Sequence, residues 1–208
     1  MLKGLFKKKS YKGSKIQLAN KKPHDSVLLW NFYVNGFNKK RISLEIGFPL
    51  LIALLTIVIS VISDASVTEI LQRIEKMNGQ IADIVAIQIG FNITCLALIA
   101  SFNRDTLQHT FSKVQEDSKE SALKQLLTSF AYCIFVQTGI LIFGIAYNTS
   151  ITDVLNIEFL KSFKQTWKEL LIYSFFLLWL AIILHSFMVF LRNVTLIYKF
   201  ILVVFKKK

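Results

Sequence analysis

Apolar side chains run almost unbroken through residues 46–63, 81–102, 126–147 and 170–191, and charged residues gather between these runs. Each run has 18 to 22 residues, close to the roughly 20 that carry a helix across a hydrocarbon layer about 30 Å thick. Inside such a layer a backbone must satisfy its own N–H and C=O groups, so spans of this length fold as helices. Four uniformly apolar runs do not suit a closed barrel, whose strands alternate polar and apolar. The pattern predicts an all-α integral membrane protein: a basic arm with an interfacial segment (1–44), then one four-helix transmembrane domain (45–208).

The connections carry patterns of their own. After the first span, Ser66 and Glu69 stand three apart as in a capping box, and Val67, Ile70, Leu71, Ile74 and Met77 share one helical face. This predicts a short amphipathic helix in the loop. The loop before the fourth span repeats the idea, with Val154, Leu155, Leu160, Phe163 and Trp167 set among Asp153, Glu158, Lys161 and Lys164. Between spans two and three, residues 103–125 predict a helical hairpin, with Leu107, Phe111 and Val114 at helical spacing.

The last run does not stop where a membrane would. From Leu170 to Phe205 there are 36 residues whose only charges are Arg192 and Lys199, about 54 Å of helix. The surplus, a C-terminal helical extension over 192–208, needs cover, since wetting it is unfavourable at about 25 cal/mol per Å² of apolar surface. Phe187, Phe190, Val194, Ile197, Ile201 and Val204 follow a heptad-like spacing. Sister copies gathered about an axis are the expected cover.

Charge sets the expected orientation. The segments before span one, between spans two and three and after span four hold 20 of the 25 Lys and Arg residues; the other two loops hold 5. By the positive-inside rule both termini are expected in the cytoplasm, in a cell (inner) membrane. Residues 1–44 alone carry 11 basic residues and one acidic residue, Asp25. Lys7, Lys8, Lys9 and Lys12 suit anionic headgroups, each worth about 1 kcal/mol near a charged surface. Trp30 suits headgroup level. The same charges make nucleic acid at most a weak or indirect partner.

A composition of 53% hydrophobic residues with 18 Phe and only 2 Pro agrees with the membrane assignment. Cys95 and Cys133 fall inside apolar runs and predict neither a disulfide nor a metal site. His24, His109 and His185 have no ligand-spaced neighbours, and no phosphate-cradling glycine loop or nucleophile elbow occurs. No enzyme activity and no cofactor are expected.

Polar side chains inside spans are costly and mark candidate sites. Gln88, Asn92 and Cys95 lie on one face of span two, and Ser129, Cys133 and Gln137 on one face of span three. They fit interhelical packing glue or the lining of a narrow path at the centre of an oligomer. Lys113, Glu116 and Lys119 of the hairpin, with Arg192 and Lys199 of the extension, are candidate lipid or partner contacts.

Small four-span subunits of bacterial anti-phage systems resemble this outline, although the resemblance rests on architecture and covers no motif. The expected function is a non-enzymatic, homo-oligomeric membrane scaffold or sensor that recruits or regulates a cytosolic protein. The alternative is an oligomeric pore or membrane-depolarising effector lined by the polar residues of spans two and three.

Overall fold

The structure, a computed structural model, describes residue 33 and residues 39–102, 122–156 and 164–205. Its elements are α1 (Lys39–Ile42), a π-helical turn (Ser43–Gly47), α2 (Phe48–Ile62), α3 (Val67–Ser101), α4 (Ala122–Asn156) and α5 (Gln165–Phe205). Among the described residues there is no strand, and four helices are long and apolar enough to cross a membrane. Most of the basic arm, most of the 103–125 hairpin and the centre of the loop before α5 lie outside the described residues, as do Lys7, Lys8, Lys9, Lys12, Trp30, Lys113, Glu116 and Lys119.

Three helices are longer than their apolar runs. The separate loop helix expected after span one is instead the first turns of α3, which runs 35 residues without interruption, or about 52 Å. The physical reason is that Asn78, Gly79 and Gln80, which stand between Met77 and the apolar run, include no proline, and the one glycine weakens a helix by about 1 kcal/mol without ending it. α4 likewise continues to Asn156, and α5 reaches 41 residues.

The turn between α2 and α3 is built from two interlocking caps. Asp64 adopts φ 47°, and with it in the left-handed region the Asp64 and Ala65 N–H groups reach back to the carbonyls of Val61 and Ser60, both at 3.1 Å. This is a Schellman closure of α2. Ser66 then opens α3 with the predicted capping box: its hydroxyl accepts from Glu69 N–H while the Glu69 carboxylate accepts from Ser66 N–H.

α3 packs on α4, α2 packs on α5, and both α3 and α4 also touch α5. α3 and α5 run parallel in a constant register, since Asn78 meets Trp179 and Asn92 meets Asn193, each pair 101 residues apart. At the end holding the α2–α3 turn, the core is apolar, with Ile70, Ile74, Val85, Ile140 and Ile183 fully or nearly buried. At the other end, the arm end, Cys95, Ile99, Leu126, Phe130, Ile197 and Phe200 form a second cluster. The surplus length of α5 therefore finds part of its cover within its own chain: Ile197 and Phe200 pack on the ends of α3 and α4, where sister copies were expected.

The distribution of side chains is the reverse of that in water-soluble proteins. Ile62, Ile87 and Phe143 are 78%, 73% and 67% exposed, whereas Asn92, Gln137 and Asn193 are completely buried. Greasy outside and polar inside suits a lipid surround.

Candidate functional site

The site begins with a proline. Pro49 has no N–H to give the carbonyl four residues back, which belongs to Glu45, and its ring crowds that carbonyl. The chain widens there into a π turn, closed by a bond from Phe48 N–H to the Ser43 carbonyl; such turns are rare and often functional. The freed Glu45 carbonyl accepts from Nδ1 of His185 on α5 at 2.6 Å. The imidazole proton therefore sits on Nδ1, and Nε2 faces the Tyr132 hydroxyl at 3.0 Å.

The turn also sends the Glu45 carboxylate inward, where it is 4% exposed. Arg192 Nη1 donates to it at 2.6 Å and Arg41 Nε at 3.0 Å, and the Tyr33 hydroxyl donates to its other oxygen. The Tyr33 ring stacks on Tyr132 with centroids 3.6 Å apart, and the Arg41 and Arg192 guanidinium carbons lie 4.6 and 5.2 Å from its centre. Both cations thus meet an aromatic face as well as a carboxylate. Burial pushes the Tyr33 phenol well above its usual range; the Arg192 charge opposes this, and the hydrogen bond to Glu45 adds to it.

From Arg192 a second line runs through the bundle. Its Nη2 donates to the Ser129 hydroxyl, which donates to Asn193 Oδ1. Asn193 Nδ2 donates to Asn92 Oδ1 at 3.2 Å, Asn92 Nδ2 to Gln137 Oε1 at 3.1 Å, and Gln137 Nε2 to Gln88 Oε1 at 2.7 Å. Along this line each donor points away from the guanidinium, with one side branch in which Asn193 Nδ2 also reaches the Ser129 carbonyl at 3.4 Å. Each group accepts at oxygen and then donates onward, so the bonds polarise one another in a common direction. Asn92 also reaches Cys133 Sγ at 3.4 Å.

The structure thus joins five of the residues marked from sequence, Gln88, Asn92, Ser129, Cys133 and Gln137, inside one chain. Cys95 stays out of the network, one turn toward the arm end in the apolar cluster. Arg192, expected as a lipid or partner contact, turns into the core and pairs with Glu45; its Nε is buried and meets no hydrogen-bond partner among the described residues. Lys199 is exposed.

Sequence reasoning missed Glu45 and Arg41. Glu45 fell one residue before the first apolar run, but Pro49 four residues later was a usable signal, because it marks a carbonyl in need of another donor. Chemically the arrangement locks a charge and holds Tyr33 and the π turn to α5. Among the described residues no group of three or more His, Cys, Asp or Glu side chains gathers as metal ligands would.

Compared with known proteins, the chain matches no family model, no curated protein and no solved structure.

Proposed function

We propose that this chain is a non-enzymatic, homo-oligomeric membrane scaffold or sensor, with both termini in the cytoplasm, that recruits or regulates a cytosolic protein. The observation that carries the proposal is the seating of the arm's root: Tyr33 is 2% exposed, stacked on Tyr132 and hydrogen-bonded to Glu45. A pull on the basic arm is felt first by Glu45, then by Arg192, and through Arg192 by the amide line across α3, α4 and α5. Such wiring suits the transmission of an arm's position more than it suits turnover of a substrate.

The polar stripe supports this reading over a pore. Gln88, Asn92 and Gln137 spend their amide groups on one another within a single chain, which leaves them little to offer ions between copies.

Photocrosslinkers placed at positions 112 and 115, beside the three charges, test the proposal in cells. The expected product is an adduct with one cytosolic protein that disappears when the charges of Lys113, Glu116 and Lys119 are reversed and changes in yield with Glu45→Gln. Adducts confined to lipid and to the chain itself would overturn it.

A further inference from the structure

Toward the turn end, α3 and α4 leave a crevice between them that the amide line does not reach. It holds about 80 Å³ and is bordered by Ile145, which is 63% exposed. Ala82, Ile140 and Leu141 make its lining largely apolar. Two glycines keep it open. A methyl group added to Gly144 would reach the Asn78 side chain at 3.8 Å, and one added to Gly79 would meet nothing within 4 Å.

One wall of the crevice is an amide pair whose orientation is fixed. The Trp179 indole can only donate, so Asn78 turns its oxygen to Trp179 Nε1 at 2.8 Å and its nitrogen to Asn148, whose Oδ1 accepts at 3.2 Å. Asn148 is left with its own nitrogen unengaged. Each carboxamide nitrogen carries two N–H groups; of these, only the one between the two side chains is spent on a described residue, while both oxygens already accept. Asn78 is 7% exposed, and a donor left unmet at such a site is costly. The wall calls for an acceptor.

Both helices change character at this level. On α3 the charged Arg73, Glu75 and Lys76 precede Asn78, whereas Asp83 is the only charge from Gly79 to Phe102; on α4 the apolar run ends at Tyr147, beside Asn148. At such a border a lipid passes from headgroup and ester to chain. Volume decides the shape of the occupant, because benzene fills a cavity of about 150 Å³, roughly twice this one. An unbranched chain fits where a ring does not. We propose that the crevice takes one acyl chain of a glycerophospholipid, with the ester carbonyl of that chain accepting from the Asn78–Asn148 pair. An ester carbonyl accepts and never donates, which matches a wall with donors to spare. Glu75 and Lys76, one turn before Gly79, carry opposite charges and flank the same face, so the site selects ester and chain rather than headgroup charge. The inference stands apart from the oligomer reading above.

Photolabelling tests it, with the full chain in vesicles of phosphatidylethanolamine and phosphatidylglycerol that hold a trace of diester phosphatidylcholine bearing a diazirine near the start of one acyl chain. Adducts are expected to concentrate on residues 78–82 and 140–148, several-fold above those on the exposed apolar face of α2. Excess unlabelled diester lipid removes them, whatever its headgroup charge, and a diether lipid, which lacks the carbonyl, competes several-fold less well. Gly79→Leu, whose new side chain enters open space, and Asn148→Leu each lower the yield several-fold. Gly90→Leu, at an exposed glycine away from the crevice with equally open surroundings, leaves it unchanged. Adducts spread evenly over the apolar surface, equal competition by the diether, stronger competition by a free fatty acid than by the diester, or a yield indifferent to Gly79→Leu would each overturn the proposal, and the last would leave the crevice to water.

Discussion

The two ends of the bundle are held together by different physics. At the turn end, isoleucines interlock, and the polar contacts are separate pins: Tyr173 hydroxyl to the Ala65 carbonyl at 2.8 Å, Tyr147 hydroxyl to the Leu71 carbonyl at 3.3 Å, and Trp179 Nε1 to Asn78 Oδ1 at 2.8 Å. At the arm end, ions and amides form one connected line from Tyr33 to Gln88. Pins fail one at a time. A connected line fails together, because removing any member leaves its neighbours buried and unsatisfied. The difference makes the turn end tolerant of single losses and the arm end sensitive to them.

The largest effect expected from breaking this contrast is at the ion pair. Glu45→Ala or Arg192→Ala alone leaves one buried charge without its partner, and each is expected to lower unfolding free energy in micelles by about 3–5 kcal/mol. Replacing both with leucine should recover much of the loss, since the charge that remains, Arg41, is partly exposed to begin with. Next comes Asn92→Leu, which strands Gln137 and Asn193 and should cost about 1–3 kcal/mol in the same assay.

Alkaline pH probes the arm's root alone. The Tyr33 phenol is held above its ordinary value of 10.0, chiefly by burial. Its contribution is therefore complete below pH 10 and is lost as pH rises beyond it, by about 1.4 kcal/mol per pH unit. Tyrosinate absorbance should show Tyr33 resisting ionisation while the chain is folded and should lose that resistant fraction in Tyr33→Phe. The smallest effect belongs to the turn end: Trp179→Phe removes one pin and should cost about 0.6–2 kcal/mol, leaving the alkaline behaviour of Tyr33 unchanged.

Most of the architecture was legible because hydrophobicity is local. Four apolar runs announced four helices, and Ser66 with Glu69 announced a helix start, since every residue needed for those features is a near neighbour. Helix ends were less legible. Charged residues such as Arg73 and Lys76 read as a loop boundary, yet they ride on the exposed side of a helix that continues through them.

The site was half legible for the same reason. Gln88 and Asn92, or Ser129 and Gln137, are conspicuous as polar residues in greasy surroundings. That Arg192 turns inward is invisible locally, because its partner lies 147 residues earlier and a lone arginine after an apolar run is the usual mark of a membrane edge.

The central claim is that the root of the arm and α5 act as one unit through Glu45. A double-mutant cycle pairing Tyr33→Phe with Arg192→Gln, read as unfolding free energy in micelles, tests it most directly. The account predicts non-additivity above about 0.5 kcal/mol, as for residues sharing one network. Additive effects would contradict it, for Tyr33 would then rest on the bundle without being wired into it.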